Sequence, residues 1–234
     1  MPPPVLTLTG VRKPYHGLRP LRVQSLAIDR GERVAVSGFD AGAAEVLVNL
    51  ITGASLPDEG TIEVGGRATH AIADGDEWLA WLDRFGIVSP RAVLLDGATL
   101  GQNLAMPLTL QIDPVPPDIQ AQVETLAGTV GLDRARLDRP VAGLDASDRA
   151  RAHLARAIAL GPSLLILEHP TIGFDAGQAT PFGETVARAA GSRALATLII
   201  SEDADFSSAA AQRRLALHAA SGELRPAGRR WLPW

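Results

Sequence analysis

Two stretches, Leu164-Leu165-Ile166-Leu167 and Ala196-Thr197-Leu198-Ile199-Ile200, are almost wholly apolar and no longer than a strand. A strand without a polar face has to be covered on both sides, which parallel strands with helices packed on either face achieve. Residues 146–160, just ahead of the first run, carry Ala152, Leu154, Ala155, Ile158 and Ala159 at helical spacing. Before them the chain reads differently. Short β-branched or alternating runs at 5–8, 21–23, 25–28, 33–36 and 61–64, bounded by Gly, Pro or Asp-Arg-Gly-Glu, predict strands. Helices are expected at 44–53, closed by Gly53, at 76–84 and at 118–137, the last two separated by the Pro-rich loop Asp113-Pro114-Val115-Pro116-Pro117. No internal repeat is visible.

Composition narrows the chemistry. With 234 residues, 46% of them hydrophobic, a large core can form. A net charge of −4 leaves no basic field to hold nucleic acid or anionic lipid. The absence of cysteine removes disulfides, thiolate metal sites and thiol nucleophiles. No apolar stretch reaches the ~18 residues of a membrane span, and Met-Pro-Pro-Pro is unlike a secretory signal. The expectation is a cytoplasmic chain able to attach to a membrane protein.

Between the expected strand at 33–36 and the helix after it stands Ser37-Gly38-Phe39-Asp40-Ala41-Gly42-Ala43-Ala44-Glu45. Strand, glycine-containing loop and helix is the setting of a P-loop, in which backbone N–H groups and a helix N-terminus hold phosphate and a lysine completes the cradle. In the pattern G-x-x-x-x-G-K-[ST], Gly38 fills the first place but Ala43, Ala44 and Glu45 fill the last three, and Lys13 is the only lysine in the chain. A like-charge pair ~5 Å apart at an effective dielectric near 20 costs about 3 kcal/mol, so Glu45 opposes a bound phosphate. Two readings stay open: Glu45, with Asp40 beside it, fills the loop's own anion site at the helix N-terminus, or another cation rescues nucleotide binding.

Further along, Asn49-Leu50-Ile51-Thr52-Gly53, Pro57-Asp58-Glu59-Gly60-Thr61-Ile62, Leu154-Ala155-Arg156-Ala157-Ile158-Ala159, Pro162-Ser163-Leu164-Leu165-Ile166-Leu167, Pro170-Thr171 and Gly173-Phe174-Asp175 follow in order. In these runs and their spacing the chain resembles the nucleotide-binding subunit of ATP-binding-cassette (ABC) transporters. The resemblance implies an α/β fold of the P-loop NTPase type: a mixed sheet with helices on both faces, an antiparallel β subdomain and an α-helical subdomain near 91–160. It also implies one cassette over 1–234, with ATP and Mg²⁺ as the usual ligands.

Carried over position by position, Tyr15 falls where the family stacks an aromatic on adenine, and Gly38, Phe39, Asp40, Gly42, Ala43, Ala44, Glu45 and Asp175 fall at nucleotide-contacting places. The Q-loop glutamine becomes Pro90, the signature becomes Leu144-Asp145-Ala146-Ser147-Asp148, the Walker B pair becomes Glu168-His169, and the switch histidine becomes Glu202. Glu168, His169 and Glu202 are thus relic catalytic positions, at which the water-orienting carboxylate of phosphoryl transfer is missing. His169 and Glu202 exchange the residue types of two family positions, so a carboxylate–imidazole contact could survive. Were Glu45, Glu168, His169 and Glu202 to converge, they would form a hypothetical divalent-metal site; otherwise no cofactor is expected, and ATP with Mg²⁺ only weakly.

The implied partners are an integral-membrane transporter subunit and a second cassette, either an intact ABC ATPase paralogue or a homodimer mate, at the inner face of the membrane. In such a head-to-tail pair Asp145 would oppose the partner's γ-phosphate. The stretch 91–108 looks like the family segment that receives the membrane subunit, although its leucines also suit plain packing. The readings that compete are a silent scaffold, a weak or partner-dependent ATPase, and a metal or small-ligand sensor. The tail Arg229-Arg230-Trp231-Leu232-Pro233-Trp234 is basic and aromatic, a contact element or a packed terminus.

Overall fold

The computed structural model describes residues 3–17 and 19–227, so the aromatic tail at 229–234 lies outside the described residues. Two sheets organise the chain. The first is antiparallel, with strands β1 (Leu6–Lys13), β2 (Leu21–Ile28), β4 (Glu59–Val64) and β5 (Arg67–Ala68) in the order β2-β1-β4-β5. The second comprises β3 (Arg33–Ser37), β6 (Phe85–Val88), β7 (Leu164–Glu168), β8 (Ala196–Ile200), β9 (Arg213–His218) and β10 (Glu223–Pro226), in the order β10-β9-β3-β8-β7-β6. Its strands are parallel except for β10, which folds back on β9.

Every residue of β7 and β8 is buried, as their apolar sequences require. Helices α1 (Ala41–Ile51), α2 (Gly75–Leu82), α3 (Leu100–Ala105), α4 (Pro117–Thr129), α5 (Ala146–Ile158), α6 (Ala179–Gly191) and α7 (Ala204–Ala210) complete the chain. Two apolar cores result. One joins the antiparallel sheet and α1 to one set of residues on the parallel strands, including Ile166 and Leu198; the other joins α3–α7 to the alternate set, including Leu165, Leu167 and Ile199. The period-2 alternation of a strand buried on both faces produces this division.

Several boundaries differ from the sequence expectation for identifiable reasons. The runs at 21–23 and 25–28 are one strand: Leu21, Val23, Leu26 and Ile28 are buried, so the alternation skips a step. The partner strand β1 skips likewise, between Leu8 and Val11, and its pairing to β4 shifts register between Thr9 and Arg12, around Gly10 at φ 59°. Such an irregularity turns side chains to the other face without ending the strand. The helix expected over 118–137 stops at Thr129, where Gly131 at φ 73° turns the chain and a short 3₁₀ turn follows at Arg134–Arg136. β5, β6, β9, β10, α3, α6 and α7 were not among the expected elements, although α6 carries Phe182, Val186, Ala189 and Ala190 on one buried face at helical spacing.

Parallel order has one consequence for chemistry. β3, β6, β7 and β8 all end at the same edge, so the residues after each end, Gly38–Asp40, Ser89–Arg91, His169 and Ser201–Glu202, are neighbours there. Ligand sites in parallel sheets form outside these carboxyl ends.

Candidate functional site

The loop after β3 is short. Asp40 is the N-cap of α1 and accepts a hydrogen bond from the Ala43 N–H at 2.7 Å, while the Asp40 carbonyl accepts from the Ala44 N–H at 2.9 Å. The helix therefore begins at Ala41 rather than at 44, and Ala41, Gly42 and Ala43 lie in its first turn instead of in an open loop. The two N–H groups ahead of the cap are taken as well. Glu202 Oε1 accepts from the Gly38 N–H at 2.6 Å and from the Phe39 N–H at 3.2 Å. Phe39 itself is buried, which fixes the loop against the core.

Tyr15 closes over the same turn. Its hydroxyl donates to Asp40 Oδ2 at 3.2 Å, and its ring lies so close to α1 that a Cβ on Gly42 would stand 3.3 Å from it. Burial first, then the charge and hydrogen bond of Asp40, raise the Tyr15 hydroxyl pKa above its ordinary value. The aromatic that the resemblance sets at an adenine-stacking place is thus engaged with the chain's own loop.

The N–H groups of the loop are engaged by carboxylates of the chain itself, Asp40 on Ala43 and Glu202 on Gly38 and Phe39, and not by Glu45. Glu45 points away from them, its Oε2 lying 3.4 Å from Arg91 Nη1. Arg91 was not foreseen, and it dominates the pocket. Its Nη1 and Nη2 donate to Oε1 and Oε2 of Glu168, each at 2.8 Å, in a side-by-side pair. Glu168 is only 2% exposed, so this guanidinium supplies the opposite charge that a buried carboxylate needs. A turn aims it: the Ser89 carbonyl accepts from the Ala92 N–H and Ser89 Oγ accepts from the Arg91 N–H.

The four residues grouped above as a metal set do not act together. Glu168 is spent on Arg91, Glu202 on the loop, and Glu45 faces Arg91. His169, at φ 41°, donates its backbone N–H to Ile200 O at 2.8 Å, and its Nε2 is buried without a hydrogen-bond partner among the described residues. The imagined contact between His169 and Glu202 is therefore replaced by these separate engagements. Among the described residues no group of three or more His, Asp or Glu is placed to hold a metal.

At the signature position Asp145 caps α5, accepting from the Asp148 N–H at 2.8 Å, and Asp148 pairs with Arg136. Asp175 is exposed, its N–H donating to Gln178 Oε1 at 2.9 Å. Beside the Ser89–Arg91 turn, a cleft of about 300 Å³ is lined by Pro90, Ala146, Arg149, His153 and His169. His153 was also unforeseen. Burial, followed by the charges of Arg156 and Arg149, pushes its pKa down to about 4. Protonation is thus disfavoured in the folded chain, so His153 contributes stability that is present above pH ~6.5 and lost as pH falls through 4. Thermal melts between pH 7 and pH 4 are expected to show a steeper loss in the native sequence than in His153→Gln.

The family profile described as ABC transporter matches residues 21–172, more than half of the chain. The chain belongs to the ABC transporter family. The Fe(3+) ions import ATP-binding protein FbpC 1 of Rhodococcus jostii (strain RHA1) is 30% identical to it over 85% of this chain, which spans 55% of that relative's length. The lipoprotein-releasing system ATP-binding protein LolD of Pseudomonas fluorescens is 28% identical, with 85% of this chain and 86% of the relative covered. In fold, this ABC chain is similar to cbiO1 from Clostridium perfringens, part of the cbiONQ transporter complex, with a TM-score of 0.79 at 20% identity over 95% of this chain and 87% of that one.

Mg²⁺ and ATP, the ligands expected of such relatives, do not fit this ABC site as it stands. No lysine reaches the loop, two of its donors already hold the Glu202 carboxylate, and both oxygens of Glu168 hold a guanidinium. Among the described residues no helix is long and apolar enough to cross a membrane.

Proposed function

We propose that this chain, as a single cassette over 1–234, occupies the nucleotide-binding position of a membrane transport complex without hydrolysing ATP, as a scaffold or regulatory subunit. The observation that carries the reading is the Arg91–Glu168 pair. A cassette that turns over Mg-ATP needs a carboxylate there free to engage the metal, and this one is bound by a cation that belongs to the chain. Glu202 on the Gly38 and Phe39 N–H groups supports it from the other side of the pocket, since a phosphate would have to displace a carboxylate tethered in place.

The relatives named above as ATP-binding proteins of import and lipoprotein-releasing systems support the transport setting. Exposed Val93 and Leu95, at 70% and 51%, offer the stretch 91–108 to a membrane subunit, while Leu94, Leu100 and Leu104 pack inward. Without nucleotide the subunit has no ligand that favours one of two states, so it would hold its part of the complex in one conformation. A second cassette, either a paralogue or another copy, completes the proposed assembly at the inner face of the membrane.

The competing reading, partner-dependent ATPase activity, draws on the same Arg91, because it is a cation inside a pocket that lacks its lysine. Co-purification with the membrane subunit, followed by ATPase assays with and without the double substitution Arg91→Ala/Glu168→Gln, which removes both charges and leaves no orphaned carboxylate, separates the two. A silent subunit leaves the complex's turnover unchanged by the substitution, and a rescued site loses it.

A further inference from the structure

We propose that Arg91 is a built-in counter-ion: a tethered guanidinium that stands in for a divalent cation between Glu45 and Glu168 and excludes metals from that site. The inference deepens the silent-subunit reading and rests on it. Glu168 ends a fully buried strand and is 2% exposed, a place where a carboxylate without a paired cation is costly to bury. A hard divalent ion would meet that need by taking carboxylate oxygens at ~2.1 Å and keeping several waters. The guanidinium meets it with two parallel hydrogen bonds of 2.8 Å and lies 3.4 Å from the second carboxylate, so it uses the same oxygens a metal would need.

Tethering decides the competition. A group held on the chain within reach of its partner acts at an effective concentration of millimolar or above, and it cannot diffuse away. The turn at Ser89–Ala92 adds to this by presenting Arg91 toward the end of β7. The pocket's charge balance is therefore independent of metal and nucleotide supply. The connection from β6 to α3, at whose head Arg91 stands, stays pinned to both α1 and β7.

Mn²⁺ serves as the probe, without nucleotide, read by the loss of its free electron-spin resonance signal and by thermal melts of the full chain. The native protein is expected to leave Mn²⁺ free at millimolar concentration. Arg91→Ala is expected to bind it more than about tenfold more tightly and to regain with it most of the lost melting temperature. Arg91→Ala/Glu168→Gln, which lacks both charges, is expected to do neither. Should Arg91→Ala fail to fold alone, it is refolded with Mn²⁺, where recovery supports the proposal and failure overturns it. Indifference of a folded Arg91→Ala to Mn²⁺ overturns it too, as does Mn²⁺ uptake by the native protein that Glu168→Gln abolishes. Because nucleotide is left out, ATP binding by the native chain would sink the silent reading without deciding this outcome.

Discussion

Arg91→Ala is expected to cost about 3 kcal/mol of unfolding free energy, a fall of ~6–12 °C in melting temperature for a chain of this size. The loss does not come mainly from the contacts removed. It comes from Glu168, which stays buried while its charge loses its partner. The figure sits at the low end for a broken buried pair because the Arg91 side chain keeps 41% of its exposure. The double variant Arg91→Ala/Glu168→Gln should recover much of the loss, since a neutral amide is far cheaper to bury than an orphaned carboxylate. Denaturant melts of the four proteins of this cycle measure the coupling. A loss in the double variant equal to the sum of the losses in Arg91→Ala and Glu168→Gln would show that the pair carries no specific weight.

Phe182→Ala, at the other side of the parallel sheet, is expected to cost about 3–5 kcal/mol. Phe182 is wholly buried and stacks on Phe206 of α7 at 5.5 Å between centroids, 15° from parallel. It also meets the edge of Phe174 at 5.5 Å and carries the Arg151 guanidinium 6.0 Å from its centroid. Truncation empties the place where α6, α7 and the loop before α6 meet. Because Phe174 neighbours Asp175, hydrogen exchange should quicken at 171–178 while the first turn of α1 keeps its protection. Uniform loss across both regions would contradict this local account.

Much of the frame was legible because it rests on local pattern. The all-apolar runs at 164–167 and 196–200 can satisfy themselves only between layers, and they became β7 and β8. The cap at Asp40 was less legible, since Asp and the small residues after it suit a phosphate loop and a helix N-terminus equally; the bond from the Ala43 N–H decides between them. The site itself was only half visible. Glu202 was recognised as a departure, but its place on Gly38, 164 residues earlier, depends on β3 and β8 being neighbours in the sheet. Arg91, 77 residues from Glu168, was passed over because it follows Pro90 in a stretch otherwise read for its leucines. One signal was available: with Glu45, Glu168 and Glu202 all expected in one pocket, charge balance called for a cation, and Arg91 is the neighbour of Pro90, which the resemblance sets at the Q-loop position.

The proposed silence rests on a pocket that the chain fills itself, with Glu202 in the loop and Arg91 on the carboxylate. Calorimetric titration of the purified protein with Mg-ATP reads this out. The expected result is no saturable heat at concentrations up to about 1 mM, an affinity weaker than roughly −4 kcal/mol. Saturable binding at micromolar Mg-ATP, abolished by a bulky substitution at Gly42, would contradict it.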